Sequence, residues 1–451
     1  MDRRQFLHNT SAAIAAASAA NVFAQNNPDY ESDSPKNTLD NKQMPTIVSV
    51  YLRGGADSLS MLVPKGDDMY YNYRRSTAIP AGQCVDFHNS PYFGLNPNMK
   101  SLQPLLEEGR MVPIVNSGSK HGTRSHFDAQ DYMERAAPGL KSVRQGWLNR
   151  YLYMTKKPYD APLRGIAVRR TLPRALRGRY PVLAGYNRTD HMDMFEKLYA
   201  ESNMVNKTAR EGAGTLKGAS LDDLEGQDRL KNMEREKALR TSDMARDIIT
   251  ESGTAAVKRL KALEEALFSQ RNEVQYPGGG LGQQLSQIAR VIKANVGLEV
   301  AQADYGGWDT HSGQGGVQGN MGGKLKHVAD SLRAFHDDLG SRMDRVLVLV
   351  MTEFGRTVHE NGNNGTDHGH GSIIWAMGGM IKPAPIYGEW TGMETEKLAY
   401  RRFMPVHTDF RIVFAESLYY LMGFDPFKVD YFPGFRPNKG SLLNFLNKVE
   451  T

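Results

Sequence analysis

Cysteine is almost missing from this chain: Cys84 is the only one in 451 residues. One thiol cannot close an internal bridge, so a disulfide framework is excluded. Stability must come from a packed core, with bound metal as a second source. Long apolar runs are missing as well. Beyond the N-terminus nothing approaches the roughly 18 consecutive apolar residues that mark a membrane-spanning helix. Charge of one sign is only slightly in excess, with 56 Lys and Arg against 50 Asp and Glu, or +6. Without a long basic block this leaves no footprint for nucleic acid and only a weak pull on anionic partners. What remains, at 40% hydrophobic and 24% charged residues, is a soluble globular chain long enough to bury a large core.

The N-terminus is where processing is written. Asp2-Arg3-Arg4-Gln5-Phe6-Leu7 is followed by an alanine-rich run from Ser11 to Ala20 and then by Val22-Phe23-Ala24. Charged segment, short apolar segment and small-residue cleavage site stand in the order export requires. Paired arginines point to the twin-arginine route. The sequence therefore predicts a signal peptide over 1–24, read by the twin-arginine translocase, and a mature protein that is periplasmic or extracellular. Removing Arg3 and Arg4 against Asp2 takes away +1 and leaves +5 on the mature chain. Residues 25–45, rich in Asn, Asp, Ser and Pro, read as a flexible leader.

From Thr46 the pattern alternates. Apolar runs at 47–52, 111–115, 298–303, 346–351 and 373–377 have strand length. Between them, 97–108, 281–292 and 325–339 carry helical spacing. Val346-Leu347-Val348-Leu349-Val350-Met351 is continuous, as in a strand buried on both faces. The expected fold is an α/β sandwich around a mainly parallel sheet, one domain over 46–451. The charged stretch at about 197–275 is expected as a helical insertion within it.

In such sheets ligands gather at the carboxyl ends of the strands. Those ends carry Asp57, Gly307-Trp308-Asp309-Thr310-His311 and Glu353-Phe354-Gly355-Arg356, while Asp367-His368-Gly369-His370 precedes the last strand. Asp57, Asp309, His311, Glu353, Asp367, His368 and His370 form the expected metal shell. Mixed carboxylate and imidazole donors suit zinc first, with manganese, calcium or iron as alternatives. A divalent metal there would serve displacement at phosphorus or sulfur. The nucleophile would come from Ser125 or Thr123, at the start of a helix that favours anions. Ser125 also reads as a plain helix cap paired with Asp128. Arg53, Arg124, His126 and Arg356 are the expected holders of an anionic group.

Six motifs in order carry a resemblance: Leu52-Arg53-Gly54-Gly55-Ala56-Asp57, Ser125 to Asp131, Gly146-Trp147-Leu148-Asn149-Arg150, Gly307 to His311, Glu353 to Thr357 and Thr366 to Gly371. Together they resemble the bacterial domain of unknown function 1501. That family is similar to the alkaline phosphatase and sulfatase superfamily, which implies an α/β/α fold and ester hydrolysis. Asn96-Pro97 through Glu108-Gly109 resembles the helix before the nucleophile in sulfatases, and Val346 to Glu353 the strand carrying a metal-binding pair. Cys84 lacks the Cys-x-Pro-Ser-Arg frame, so formylglycine chemistry is disfavoured. Two expectations stand: an exported metal-dependent hydrolase of phosphate or sulfate esters, or a non-catalytic envelope protein binding a glycan, polymer or partner around a structural metal.

Overall fold

A computed structural model describes residues 43–155, 161, 163–185, 259 and 262–448. The signal segment 1–24, the leader as far as 42 and most of the 197–275 stretch lie outside the described residues. The chain divides into two units, Met1–Leu39 with Asn187–Glu264 and Asp40–Tyr186 with Glu265–Thr451. Nearly all of the first lies outside the described residues, and the description below is of the second.

Its strands are β1 Thr46–Leu52, β2 Leu62–Val63, β3 Gly94–Leu95, β4 Met111–Gly118, β5 Gly165–Ala167, β6 Leu183–Ala184, β7 Val300–Tyr305, β8 Val346–Met351, β9 Arg356–Glu360, β10 Thr366–His368, β11 Ser372–Met377 and β12 Thr408–Asp409. Eight of them form one sheet in the order β12-β4-β11-β8-β1-β7-β5-β6. The main helices are α1 His126–Arg135, α2 Trp147–Met154, α3 Gly280–Lys293, α4 Gly319–Leu339 and α5 Phe410–Glu416. This is an α/β fold with helices flanking a mixed, mainly parallel sheet.

Period two decides which residues face which layer. Ile47 and Tyr51 of β1 and Leu347, Leu349 and Met351 of β8 share a core with Trp147 and Tyr151 of α2 and Phe414 of α5. The Trp147 and Phe414 rings stack at 4.0 Å. Val48, Val50, Val348 and Val350 alternate with them and are equally buried, so both faces of these strands are covered, and the two polar residues of β1, Thr46 and Ser49, are buried too. Each such side chain contributes about 1.5–3 kcal/mol of burial. On α3 the buried stripe Leu281, Leu285, Ile288, Ala289 and Ile292 follows the helical period of the sequence.

Two details differ from expectation. The 97–108 segment is not one helix but a 3-10 stretch, Pro97–Leu102, followed by a short α-helix, Gln103–Glu107. Pro104 has no amide to donate, so the regular helix restarts there. The second detail matters more. β1 is parallel to β7 and β8, yet β11 runs antiparallel to both β8 and β4. The chain leaves the carboxyl end of β8, folds into the β9–β10 hairpin instead of a crossover helix, and re-enters the sheet from the same edge. The start of β11 therefore lies beside the ends of β8, β1, β7 and β4. Five neighbouring strands bring their loops to one edge.

Candidate metal centre

The loop after β7 is anchored by Trp308, fully buried, whose amide donates to the Arg53 carbonyl at 3.2 Å. Gly54 makes this approach feasible. Its φ of +121° is glycine territory, and a Cβ there would lie 2.6 Å from the Asp309 amide nitrogen. The amide of Thr366 donates to the Thr310 carbonyl at 3.1 Å, stitching the β7 loop to β10. These bonds fix Asp309 and His311 against His368.

Three imidazoles converge on one carboxylate oxygen. Asp309 Oδ1 lies 3.2 Å from His126 Nε2, 3.1 Å from His368 Nε2 and 3.0 Å from His311 Nε2. The Nε2 atoms of His311 and His368 are 2.9 Å apart. His126, Asp309 and His368 together offer ligand atoms close enough to share one metal ion. Every ring is held from behind through its other nitrogen. His126 Nδ1 meets Glu353 Oε1 at 2.7 Å, His311 Nδ1 meets Asp367 Oδ1 at 3.0 Å, and His368 Nδ1 meets the Arg124 carbonyl at 2.7 Å. Metal-ligating histidines are oriented this way, with Nδ1–H donated to a carboxylate or carbonyl so that Nε2 keeps its lone pair.

The donors fit a metal by a further observation: His126 Nε2 is buried and makes no hydrogen bond. A buried ring nitrogen without a partner is costly, and a cation between it and Asp309 would satisfy both. Burial works to raise the Asp309 carboxyl, but the Arg356 hydrogen bond, with His126 and His311 nearby, holds it at about 2. Burial likewise lowers the His126 imidazole, and Glu353 outweighs it, so the ring's pKa rises. Burial lowers His368, which favours its neutral, ligating form.

The other expected ligands are placed differently. Glu353 is buried behind His126, where Oε1 also accepts from Gly54 N at 2.9 Å and Gln130 Nε2 at 2.8 Å. Asp367 stands behind His311 and accepts from Asn361 at 3.0 Å. His370 lies half-buried, and its carbonyl serves the Gly355 amide at 3.0 Å. Asp57 is apart from the cluster. It is buried in an ion pair with Arg74, whose Nη1 and Nη2 grip both carboxylate oxygens, and it accepts from Ser60 at 2.6 Å and Gln314 at 2.8 Å. Arg74 was not legible as its partner, because nothing local marks it.

The expected anion holders divide too. Arg356, buried, gives Nη1 to Asp309 at 2.8 Å and Nε to Thr366 at 3.1 Å. Arg53 pairs with Glu134 at 3.1 Å and Asp304 at 2.7 Å. Arg124 is exposed, its guanidinium 5.0 Å from the centre of the Phe403 ring. His126 belongs to the metal-capable set. Ser125 does occupy the N-cap position of α1, but its side chain caps nothing, and Asp128 pairs with Lys141 at 3.1 Å. The capping box is thus replaced by a free hydroxyl next to His126. Thr123 Oγ1 accepts from the Ser125 amide at 3.3 Å. Gln130, which links Glu353 to Arg53, was overlooked; one helical turn after His126, its place on the same face was the available signal.

No helix among the described residues is long and apolar enough to cross a membrane. No curated protein matches the chain. Among solved structures it is similar to the C-terminal periplasmic domain of EcEptC from Escherichia coli, crystallised with zinc, at 8% identity and a TM-score of 0.34. That alignment covers 75% of this chain and 73% of the other. A family model matches residues 117–439, from the end of β4 through α5 and beyond, and the chain belongs to that family, described as protein of unknown function (DUF1501).

Proposed function

We propose that this chain is an exported, metal-dependent hydrolase of phosphate or sulfate esters, built on the alkaline phosphatase and sulfatase plan. The observation that carries the reading is the convergence of three imidazole Nε2 atoms on Asp309 Oδ1, each ring held through Nδ1. Two imidazole nitrogens and a carboxylate oxygen able to share one ion suit zinc, with His311 beside them. When bound, the metal would supply Lewis acidity at a phosphoryl or sulfuryl oxygen.

The chain's own residues do the rest. Ser125 is held beside the cluster because Arg124 and His126, on either side of it, are pinned to His368 and Glu353. Its Oγ bonds to phosphorus or sulfur while the ester alkoxide leaves and the hydroxyl proton passes to water. A water then displaces the seryl oxygen and restores the hydroxyl. The start of α1 stabilises the charge that develops there. Thr123 is the second candidate for this role. Arg356 and Arg53 are committed to carboxylates, which leaves Arg124 to hold the anion.

The test is a turnover screen of the metal-loaded chain on p-nitrophenyl phosphate and p-nitrophenyl sulfate. Wild type is expected to release p-nitrophenol, Asp309→Ala to lose activity and metal together, and Ser125→Ala to lose activity with metal retained. Activity that survives both Ser125→Ala and Thr123→Ala removes the seryl mechanism. A fully loaded wild type inert to both ester classes sinks the hydrolase reading and leaves a metal-structured binding protein.

A further inference from the structure

Residues of α1 from Phe127 to Arg135 help to line a cavity of about 490 Å³. Six cations line it: Arg53, Arg135, Lys141, Arg169, Arg174 and Arg177. Four carboxylates answer them. Glu134 and Asp304 pair with Arg53, Asp304 also with Arg169, Asp131 with Arg135 and Arg174, and Asp128 with Lys141. Six positive charges against four negative ones leave a surplus of two. A concave site with surplus positive charge concentrates anions.

The surplus has an address. No carboxylate pairs with Arg177 among the described residues; its Nε donates to the Leu172 carbonyl at 2.7 Å, and its remaining donors are uncommitted. Burial and the neighbouring Arg174 guanidinium lower its pKa, which is how crowding among like charges shows itself. Deeper in the cavity, Arg135 is nine-tenths buried and its Nε has no hydrogen-bond partner, and neither does the buried Nε of Arg53. The ion pairs leave these donors, and the Asp131 Oδ1 acceptor, without hydrogen bonds. The availability of the donors is what a ligand with several oxygens would satisfy. At the rim Phe127 is 88% exposed, an apolar ring beside charged groups.

We infer that this cavity is an anion subsite that takes a phosphate, sulfate or carboxylate group through Arg174 and Arg177. The inference does not depend on turnover at the metal centre. The subsite is coupled to that centre through one residue, because Gln130 donates to Glu353 at 2.8 Å and accepts from Arg53 at 3.0 Å. Arg53, which lines the cavity, and His126 at the cluster are therefore the two ends of one hydrogen-bonded chain.

Calorimetric titration with inorganic pyrophosphate tests it, using the full chain. Asp309→Ala is the reference, since it removes the candidate metal ligand, and the Arg356 guanidinium it releases is common to every protein compared. Binding to this variant is expected, and about tenfold or more weaker binding when Arg174→Ala and Arg177→Ala are added to it. Both arginines are exposed, so an unchanged melting temperature confirms that the added variants fold. Equal affinity with and without the two arginines, or no binding to Asp309→Ala, overturns the inference. A second arm separates sources. Pyrophosphate that raises the KM for an ester in the wild type, but not in the Arg174→Ala/Arg177→Ala protein, assigns the subsite to a second charged group of the substrate. Binding without that effect assigns it to a free anion, and either outcome retains the subsite.

Discussion

His126 Nε2 lies 3.2 Å from Asp309 Oδ1 and makes no hydrogen bond, although Nδ1 of the same ring is held by Glu353 at 2.7 Å. The ring is thus oriented by one carboxylate toward another without bonding to the second. A cation shared between this nitrogen and the Asp309 carboxylate would use that arrangement.

Glu353 should accordingly govern metal affinity without being a ligand. Glu353→Gln keeps the shape of the buried side chain but no longer fixes the His126 tautomer. Metal affinity is expected to fall by about 10–100-fold, the cost of losing such an orienting partner. Competition with a chromogenic chelator measures it, and His126→Ala should cost more than Glu353→Gln.

Asp57 should matter to stability and not to metal. Its carboxylate is buried against Arg74, whose Nε and Nη2 also donate to the carbonyls of Val358 and Thr357 at 3.0 Å each. Asp57→Asn strands a buried guanidinium, at about 3–5 kcal/mol. Urea denaturation should show the loss, while metal content per folded protein stays at the wild-type level.

The same pair sets a pH dependence. Burial raises the Asp57 carboxyl, but Arg74 more than offsets it, so the folded pKa lies below the ordinary 3.8. A carboxylate depressed in the folded state stabilises fully above its unfolded pKa and loses that contribution as pH falls through the folded one. Wild-type stability should therefore fall on acidification below about pH 4. Asp57→Asn should lose less over the same interval, as thermal melts at stepped pH would show.

Metal removal should destabilise the whole unit, since the candidate ligands come from the start of α1, the loop after β7 and the end of β10. Binding to the folded state alone stabilises by about 2.7 kcal/mol at a hundredfold excess over Kd. A chelator should lower Tm and added zinc should restore it. An unchanged Tm would mean that the cluster is self-sufficient through its hydrogen bonds.

Gly54→Ala tests how the loops are held together. The added Cβ would press on the Asp309 amide at a φ disfavoured for alanine, at a cost of about 1–3 kcal/mol. Displacement of Asp309 should weaken metal binding at the same time, whereas an exposed substitution of equal ΔΔG should not.

Much of the fold was legible because the strands of a buried sheet are continuous apolar runs. Val346–Met351 was readable residue by residue, and so was the buried stripe of α3. The direction of β11 was not. A strand's polarity in the sheet depends on the connection before it, and the β9–β10 hairpin is too short and polar to announce itself. At the site, Asp309, His311 and His368 stood out as metal-capable residues at strand ends. The roles of Glu353 and Asp367 behind the rings could not be separated from ligation, since the same residue types serve both. His126 was expected to hold an anion and not a metal, because its convergence on Asp309 spans 183 residues of sequence and exists only in the fold.

The most direct test is metal content, measured by mass spectrometry on tag-free protein purified without chelators. The expected result is near-stoichiometric metal in the wild type, lost in His126→Ala and in Asp309→Ala while Asp57→Asn retains it. Substoichiometric metal that reconstitution cannot restore, or full metal in the His126 and Asp309 variants, would contradict the metal centre and the hydrolase built on it.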